Sequence, residues 1–351
     1  MDIKKIVLTG GPCAGRSTAL TRIGEACLAW GYSPLFVPEI ITGGDTSPDD
    51  RCCQIQLQLQ TECIFEQKAA AMPCEGVLIV CDRGTLDSKA YMTEEEFDEL
   101  VGKLNTDVVA LRDHYAAVFH LVSAAKGAEK FYTAAGNSRE TVSETAALDD
   151  RILAAWTGHP HLRAIDNSSD LDGKMYRLIT EIASFLGKPA PYETERKFLI
   201  EYPDLALLDS LPLCRRVEIT QTYLKTEGED EVRVRQRGER GGYIYFCTEK
   251  RRISGLKRME TERRITEDEY RSMLTEADPE RCPIRKSRYC LLYENQYFEI
   301  DIYPFWQDRA IVELELSDEN ASIIFPDWLK VIREVTDDDT YKNANLAKRK
   351  D

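Results

Sequence analysis

The sequence predicts two domains of different class: an α/β domain built on a parallel sheet with a phosphate-binding loop, then an α+β domain built on an antiparallel sheet or barrel. Three observations carry this. Short apolar runs alternate with helix-length patterns from Met1 to about Leu186, as in a parallel sheet covered on both faces. A glycine-rich motif, Gly10–Thr18, follows the first apolar run and opens the first helical pattern. Beyond the breaker segment Gly187-Lys-Pro-Ala-Pro191 the hydropathy period changes to two, as in strands joined by short turns. The domains are expected at 1–187 and 191–345.

In the first domain Ile3–Leu8, Pro34–Val37, Val77–Cys81, Ala116–Val122 and Leu162–Ile165 read as strands, each a short apolar run. Thr18–Trp30, Arg51–Ala71, Thr141–Trp156 and Asp170–Phe185 read as helices. In the second domain charged and apolar residues alternate in Glu193–Phe198, Glu231–Arg237, Tyr243–Lys250, Met259–Ile265, Ile284–Leu292, Tyr297–Ile302 and Ala310–Leu316. No long repeat or low-complexity tract interrupts either part.

A chain of 351 residues with 43% hydrophobic content is long enough for two cores. Its formal net charge of -15 makes nucleic acid a poor partner, because that partner wants a basic footprint. Eleven cysteines include no C-x-x-C pair, so a metal-binding spacing is not indicated. The amino terminus runs straight into the glycine-rich motif and does not read as a signal peptide, and no apolar stretch approaches the roughly 20 residues that span a bilayer. A cytoplasmic protein with free thiols is expected.

The segment Gly10-Gly11-Pro12-Cys13-Ala14-Gly15-Arg16-Ser17-Thr18 sits between strand and helix, the context required of a P-loop. There backbone N–H groups and the helix amino terminus bind phosphate oxygens, with ATP or GTP the expected nucleotide. Ser17 would ligate magnesium, and Asp82, at the end of an apolar strand, would join it as a Walker-B acid does. Arg16 departs from the lysine of the pattern. Its planar fork keeps the charge but sits on a longer stem, so binding can survive while phosphoryl transfer is slowed. Glu39 ends the second strand and places another carboxylate on the same sheet edge. The order P-loop, V-P-E and C-D-R-G-T-L-D resembles a small P-loop family related to nucleoside and nucleotide kinases. That resemblance implies Glu39 as a base and Arg83 as a phosphate contact. Arg139, in a polar run before a helix, is a candidate lid arginine. His159 and His161 have no third ligand nearby and read as loop residues.

Side chains alternate along a strand, so Glu193, Glu195 and Lys197 share one face, as do Arg233, Arg235 and Arg237. Thr248 and Lys250 share a face, and so do Glu260 and Glu262, Lys286 and Arg288, Glu299 and Asp301, and Glu313 and Glu315. Solvated strand faces are the ordinary reading of such alternation. Two features strain it. Like charges at every second position repel unless compensated. The opposite faces are also apolar, at Val232, Val234, Ile300, Ile302, Ile311, Leu314 and Leu316. An apolar outer face packed on helices, with a charged inner face, suits a polyanion held with metal ions.

The opening E-x-E-x-K at Glu193–Lys197, followed by V-R-V-R, T-E-K, M-E-T-E, I-R-K-S-R, F-E-I-D and V-E-L-E-L in order, resembles the CYTH superfamily of triphosphate tunnel metalloenzymes. The closing segment Val335–Asn343 fits its end. The resemblance implies an eight-stranded antiparallel tunnel that binds a triphosphate with Mg or Mn. It implies Glu193, Glu195, Asp301, Glu313 and Glu315 as metal ligands. Lys197, Arg233, Arg235, Lys250, Lys286 and Arg288 would grip phosphates, and Glu260 or Glu262 would complete the lining. The combined order of kinase-like P-loop domain and CYTH domain resembles the TRPL translocation defect protein family. The function expected is metal-dependent hydrolysis of inorganic triphosphate, pyrophosphate or a nucleoside triphosphate. Two alternatives stand beside it: a nucleotide-switched binder whose tunnel captures a phosphorylated ligand such as a phospholipid headgroup, and an adenylyl cyclase.

Overall fold

A computed structural model describes residues 2–41, 47–134, 141–188, 194–226, 231–254, 257–316 and 322–348, without the side chains of 48, 133, 134, 194, 251–254, 257–261, 315 and 316. The chain divides into two compact units, one of Met1–Thr194 with Leu292–Tyr297 and Glu315–Ile324, the other of Glu195–Leu291, Phe298–Leu314 and Phe325–Asp351.

The first unit is built on five strands: β1 (Asp2–Thr9), β2 (Tyr32–Val37), β3 (Gly76–Asp82), β4 (Ala117–Leu121) and β5 (Leu162–Ile165). They are the five strands expected, and they pair in the order β2-β3-β1-β4-β5. Every pairing is parallel. Residues 76–81 of β3 and all five of β4 are buried, the burial a strand covered on both faces requires. The connecting helices are α1 (Arg16–Trp30), α2 (Pro48–Ala70), α3 (Glu94–Lys103), α4 (Val108–Asp113), α5 (Glu129–Ala134), α6 (Val142–Trp156) and α7 (Leu171–Phe185), with a 3-10 helix at Thr85–Tyr91. A core on one face joins Ile6, Leu8, Ile23, Val80, Phe119, Leu178 and Ile182. It fixes the carboxyl edge of β1 relative to α1 and α7.

The second unit holds most of a sheet formed by β6 (Thr194–Glu201), β7 (Cys214–Tyr223), β8 (Glu231–Glu239), β9 (Gly242–Ser254), β10 (Lys257–Ile265), β11 (Ile284–Tyr293), β12 (Gln296–Ile302), β13 (Arg309–Leu316) and β14 (Val331–Glu334). Their order is β10-β9-β8-β7-β11-β12-β13-β6-β14, and the pairs with a defined register are antiparallel. Among the described residues the sheet has nine strands, where eight were expected. Two were missed for physical reasons. Strand β7 buries Gln221 and Thr222, which blurs its alternation, and β14 is an edge of four exposed residues. The outer face of β8, β9 and β10 buries Val234, Cys247 and Ile265 against Tyr270 of α9 (Glu267–Met273). Among the remaining elements are α8 (Leu205–Ser210) and α10 (Asn343–Leu346). Ala347 and Val335 pack with Leu199, Tyr223, Ile284, Tyr303 and Ile311 in a second core.

Candidate functional site

The phosphate loop is shaped by its backbone. Gly10 has φ 144°, and a Cβ there would lie 2.2 Å from the Leu121 carbonyl oxygen, so only glycine fits. Gly15, at φ 93°, is the N-cap of α1 and supplies no side-chain acceptor to its first amides. That end of the helix is suited to an anion. Beneath the loop lies buried Asp149, on α6. Its Oδ1 accepts the Gly11 N–H at 2.8 Å and the Ser123 N–H at 3.1 Å, with His120 Nε2 at 3.2 Å. Burial works against the Asp149 charge, yet His120 and the Gly11 amide hold its carboxyl below the usual range. Lys174 of α7 is also buried and donates to Ala14 O at 3.1 Å, and to Val122 O and Asn167 Oδ1. Burial lowers its pKa to about 8. Both residues brace the loop from behind, and neither carries a motif by which the sequence could announce it.

Arg16 is engaged by side chains at the carboxyl edge of the sheet and by the loop's own backbone. Its Nε donates to Asp82 Oδ1 at 2.8 Å, Nη1 to Gly10 O at 2.9 Å, and Nη2 lies 3.1 Å from Glu39 Oε2. The other Glu39 oxygen accepts from Arg83 Nε at 2.6 Å. Arg83 adopts φ 69° and also faces Asp87 at 3.6 Å, while Asp87 accepts the Gly84 N–H and the Thr9 hydroxyl. Arg83 thus stands between the Glu39 and Asp87 carboxylates in this arrangement. The Ser17–Asp82 pair expected for magnesium does not fit that ion as arranged here, because Asp82 is already engaged by Arg16. Arg139 lies outside the described residues.

In the nine-stranded sheet the expected alternation holds, and charged side chains converge on one face. Arg288 of β11 is 7% exposed, and Asp301 of β12 is fully buried. Arg288 donates to Asp301 through Nε and Nη2, at 2.6 and 2.7 Å, to Glu313 Oε2 at 2.7 Å, and to Glu299. Glu299 and Glu313 stand opposite each other in the β12–β13 register. Lys286 pairs with Asp301, and Lys197 of β6 lies 2.8 Å from Glu313 and 3.7 Å from Glu195. Burial would raise the Glu313 pKa, but Lys197, Lys286 and Arg288 hold it well below the carboxylate range. Burial would lower Lys197, and the charges of Glu313 and Glu195 raise it instead. Lys286 is lowered by its burial and by Arg288 beside it. A second cluster joins Arg235 of β8 to Glu262 of β10 at 3.0 Å, with the Thr248 hydroxyl donating to the same carboxylate at 2.9 Å. Arg233 is registered with Thr248, and Lys250 with Glu260.

The structure brings together Glu195, Lys197, Lys286, Arg288, Asp301 and Glu313. It also brings together Arg235 and Glu262. Glu193 lies outside the described residues, as do the side chains of Glu260 and Glu315. Among the described residues no group of three or more His, Cys, Asp or Glu is placed to hold a metal ion, and two of the implied ligands, Glu193 and the Glu315 side chain, are not among those residues. Tyr303, buried with Lys286 5.6 Å from its ring centre, belongs to the same cluster. Its place just past the end of β12 hid it from a strand pattern. Among the described residues no helix is long and apolar enough to cross a membrane.

Residues 5–174 match the AAA domain. The chain is 33% identical over 160 residues to an inorganic triphosphatase of Acetivibrio thermocellus, covering 44% of this chain and 93% of that one. It is 34% identical over 161 residues to an inorganic triphosphatase of Nitrosomonas europaea, covering 44% and 96%. Among solved structures, an inorganic triphosphatase is similar at 30% identity, 44% and 94% coverage and a TM-score of 0.32. A deoxyadenosine kinase from M. mycoides with bound dATP is similar at 15% identity, 51% and 100% coverage and a TM-score of 0.35.

Proposed function

Because the chain belongs to the inorganic triphosphatase family, we propose that it is a phosphohydrolase acting on triphosphate-containing substrates at the charged face of the nine-stranded sheet. Inorganic triphosphate is the first substrate to test. The observation that carries this reading is the convergence of Lys197, Lys286 and Arg288 on Glu299, Asp301 and Glu313. In the resting protein each cation is neutralised by a carboxylate. A triphosphate offers those cations charge-assisted bonds of the same kind, and the carboxylates are then released. Glu195, Asp301 and Glu313 are hard oxygen donors on neighbouring strands, so with Glu193 and Glu315 they would hold Mg or Mn, a Lewis acid that polarises phosphoryl oxygens.

Lys197, Lys286 and Arg288 hold the substrate so that its terminal phosphorus meets a water in line. As the water oxygen bonds to phosphorus, the bond to the bridging oxygen breaks, diphosphate leaves, and the proton lost by the water passes to solvent. The same cations stabilise the charge that gathers on that oxygen. For the P-loop we propose binding of ATP or GTP phosphates without transfer. Arg16 is held on Asp82, Glu39 and Gly10 O, away from where a transferring group would lie.

The test is a phosphate-release screen over tripolyphosphate, diphosphate, ATP and GTP, with Mg or Mn. Tripolyphosphate should be turned over, and ATP products resolved by chromatography should be hydrolytic rather than cyclic. No release from any of the four with either metal would sink the proposal.

A further inference from the structure

We propose that Arg16 takes the place of a divalent cation at the phosphate loop, so that the loop binds a nucleotide without a magnesium ion held by the protein. This rests on the reading that the loop binds nucleotide phosphates. A P-loop magnesium site needs an acidic side chain beside the Ser or Thr that follows the basic residue. Here the two acids at the sheet edge, Asp82 and Glu39, are joined by one guanidinium at 2.8 and 3.1 Å. Its third side is tied to Gly10 O at 2.9 Å, within the loop itself. All three nitrogens of Arg16 are therefore directed into the protein. The fork geometry makes this possible, and a lysine ammonium on a shorter stem cannot span the same three acceptors.

The second arginine makes the arrangement stiff. Arg83, 5% exposed and in the left-handed region, holds the other oxygen of Glu39 at 2.6 Å and faces Asp87. Asp87 is anchored by the Gly84 amide at 2.7 Å. Glu39, Asp82 and Asp87 are thus compensated by Arg16 and Arg83 before any ion arrives. Separating Arg16 from Asp82 would leave a carboxylate only 15% exposed without that cation. A dehydrating, octahedral ion such as magnesium has to overcome that pairing to enter. The phosphates are left to the amides at the start of α1 and the loop.

Calorimetric titration of the full chain with ADP and with GDP, in magnesium and then in excess EDTA, tests this. Diphosphates are used because they lack the triphosphate proposed for the sheet. Chelation should weaken binding by less than about fivefold, against the tenfold or more typical when a metal site is disturbed. Arg16→Lys frees Asp82 and one oxygen of Glu39, whose other oxygen stays with Arg83, and should make binding fall about fivefold or more in EDTA. Gly10→Ala, which forces a Cβ against Leu121 O, should abolish binding and show that the signal belongs to the loop. Wild-type binding that weakens fivefold or more in EDTA overturns the inference while leaving the nucleotide-binding reading intact. No binding in either buffer overturns both. Should Arg16→Lys fail to fold, the wild-type comparison alone decides.

Discussion

Two arginines carry opposite assignments. Arg16 is held among Asp82, Glu39 and Gly10 O in a local closed circuit, whereas Arg288 is the common partner of three carboxylates, Glu299, Asp301 and Glu313. The sheet contains further cations on the same face, among them Lys197 and Lys286, so a polyanion can draw on several at once. Burial opposes the Arg288 charge, but Asp301, Glu299 and Glu313 raise its pKa well above the usual value, so it stays ionised. Losing a partner in a buried network leaves the others uncompensated. Arg288→Met should therefore destabilise the sheet by roughly 3–5 kcal/mol, and Arg288→Lys by less, because charge returns without the fork. Denaturant midpoints of the two variants check this. An unchanged midpoint for Arg288→Met would show that the three carboxylates find other partners.

At the scale of elements, legibility followed burial. All five parallel strands could be read from the sequence because each is apolar enough to be covered on both faces. The charged strands β8, β11, β12 and β13 were legible because like charges two residues apart, opposite an apolar face, strain the ordinary reading of a solvated strand. The misses have the same cause in reverse. Strand β7 buries Gln221 and Thr222, and β14 buries nothing. Residue type does not reveal direction either: Arg16 was legible as a cation at a phosphate loop, but not as one turned toward Asp82.

Helix α2 shows a buried polar contact that no pattern exposes. Glu62 accepts from Lys5 on β1 at 2.9 Å and from the Tyr115 hydroxyl at 2.7 Å, with His114 Nε2 also at 2.9 Å. Burial would raise its pKa, but His114 and Lys5 lower it from 4.5 to about 2. A depressed carboxyl stabilises the fold fully above the unfolded value, and the stabilisation is lost as pH falls through the folded one. Glu62 should thus contribute roughly 3 kcal/mol at neutral pH, disappearing between the two values. In Glu62→Gln the stability of the first unit should change less over that acid window than in wild type. Parallel acid-unfolding curves for the two proteins would contradict the assignment.

For the whole molecule, the two phosphate-binding chemistries we propose belong to separate compact units of one acidic chain, with a net charge of -15. One unit offers backbone amides at a helix start and keeps its side-chain cations engaged. The other offers side-chain cations that a polyanion can take from their carboxylates. Hydrolysis is proposed to belong to the second. The most direct measurement is tripolyphosphate turnover by Glu313→Gln beside wild type, with thermal transitions and ADP or GDP binding measured on the same samples. Glu313 is the carboxylate shared by Lys197 and Arg288. The amide should lower turnover by on the order of a hundredfold or more, the scale of removing one electrostatic contact at a reacting group, while nucleotide binding at the loop is retained. Wild-type turnover by a folded Glu313→Gln protein would contradict the account and move the activity away from the charged face of the sheet.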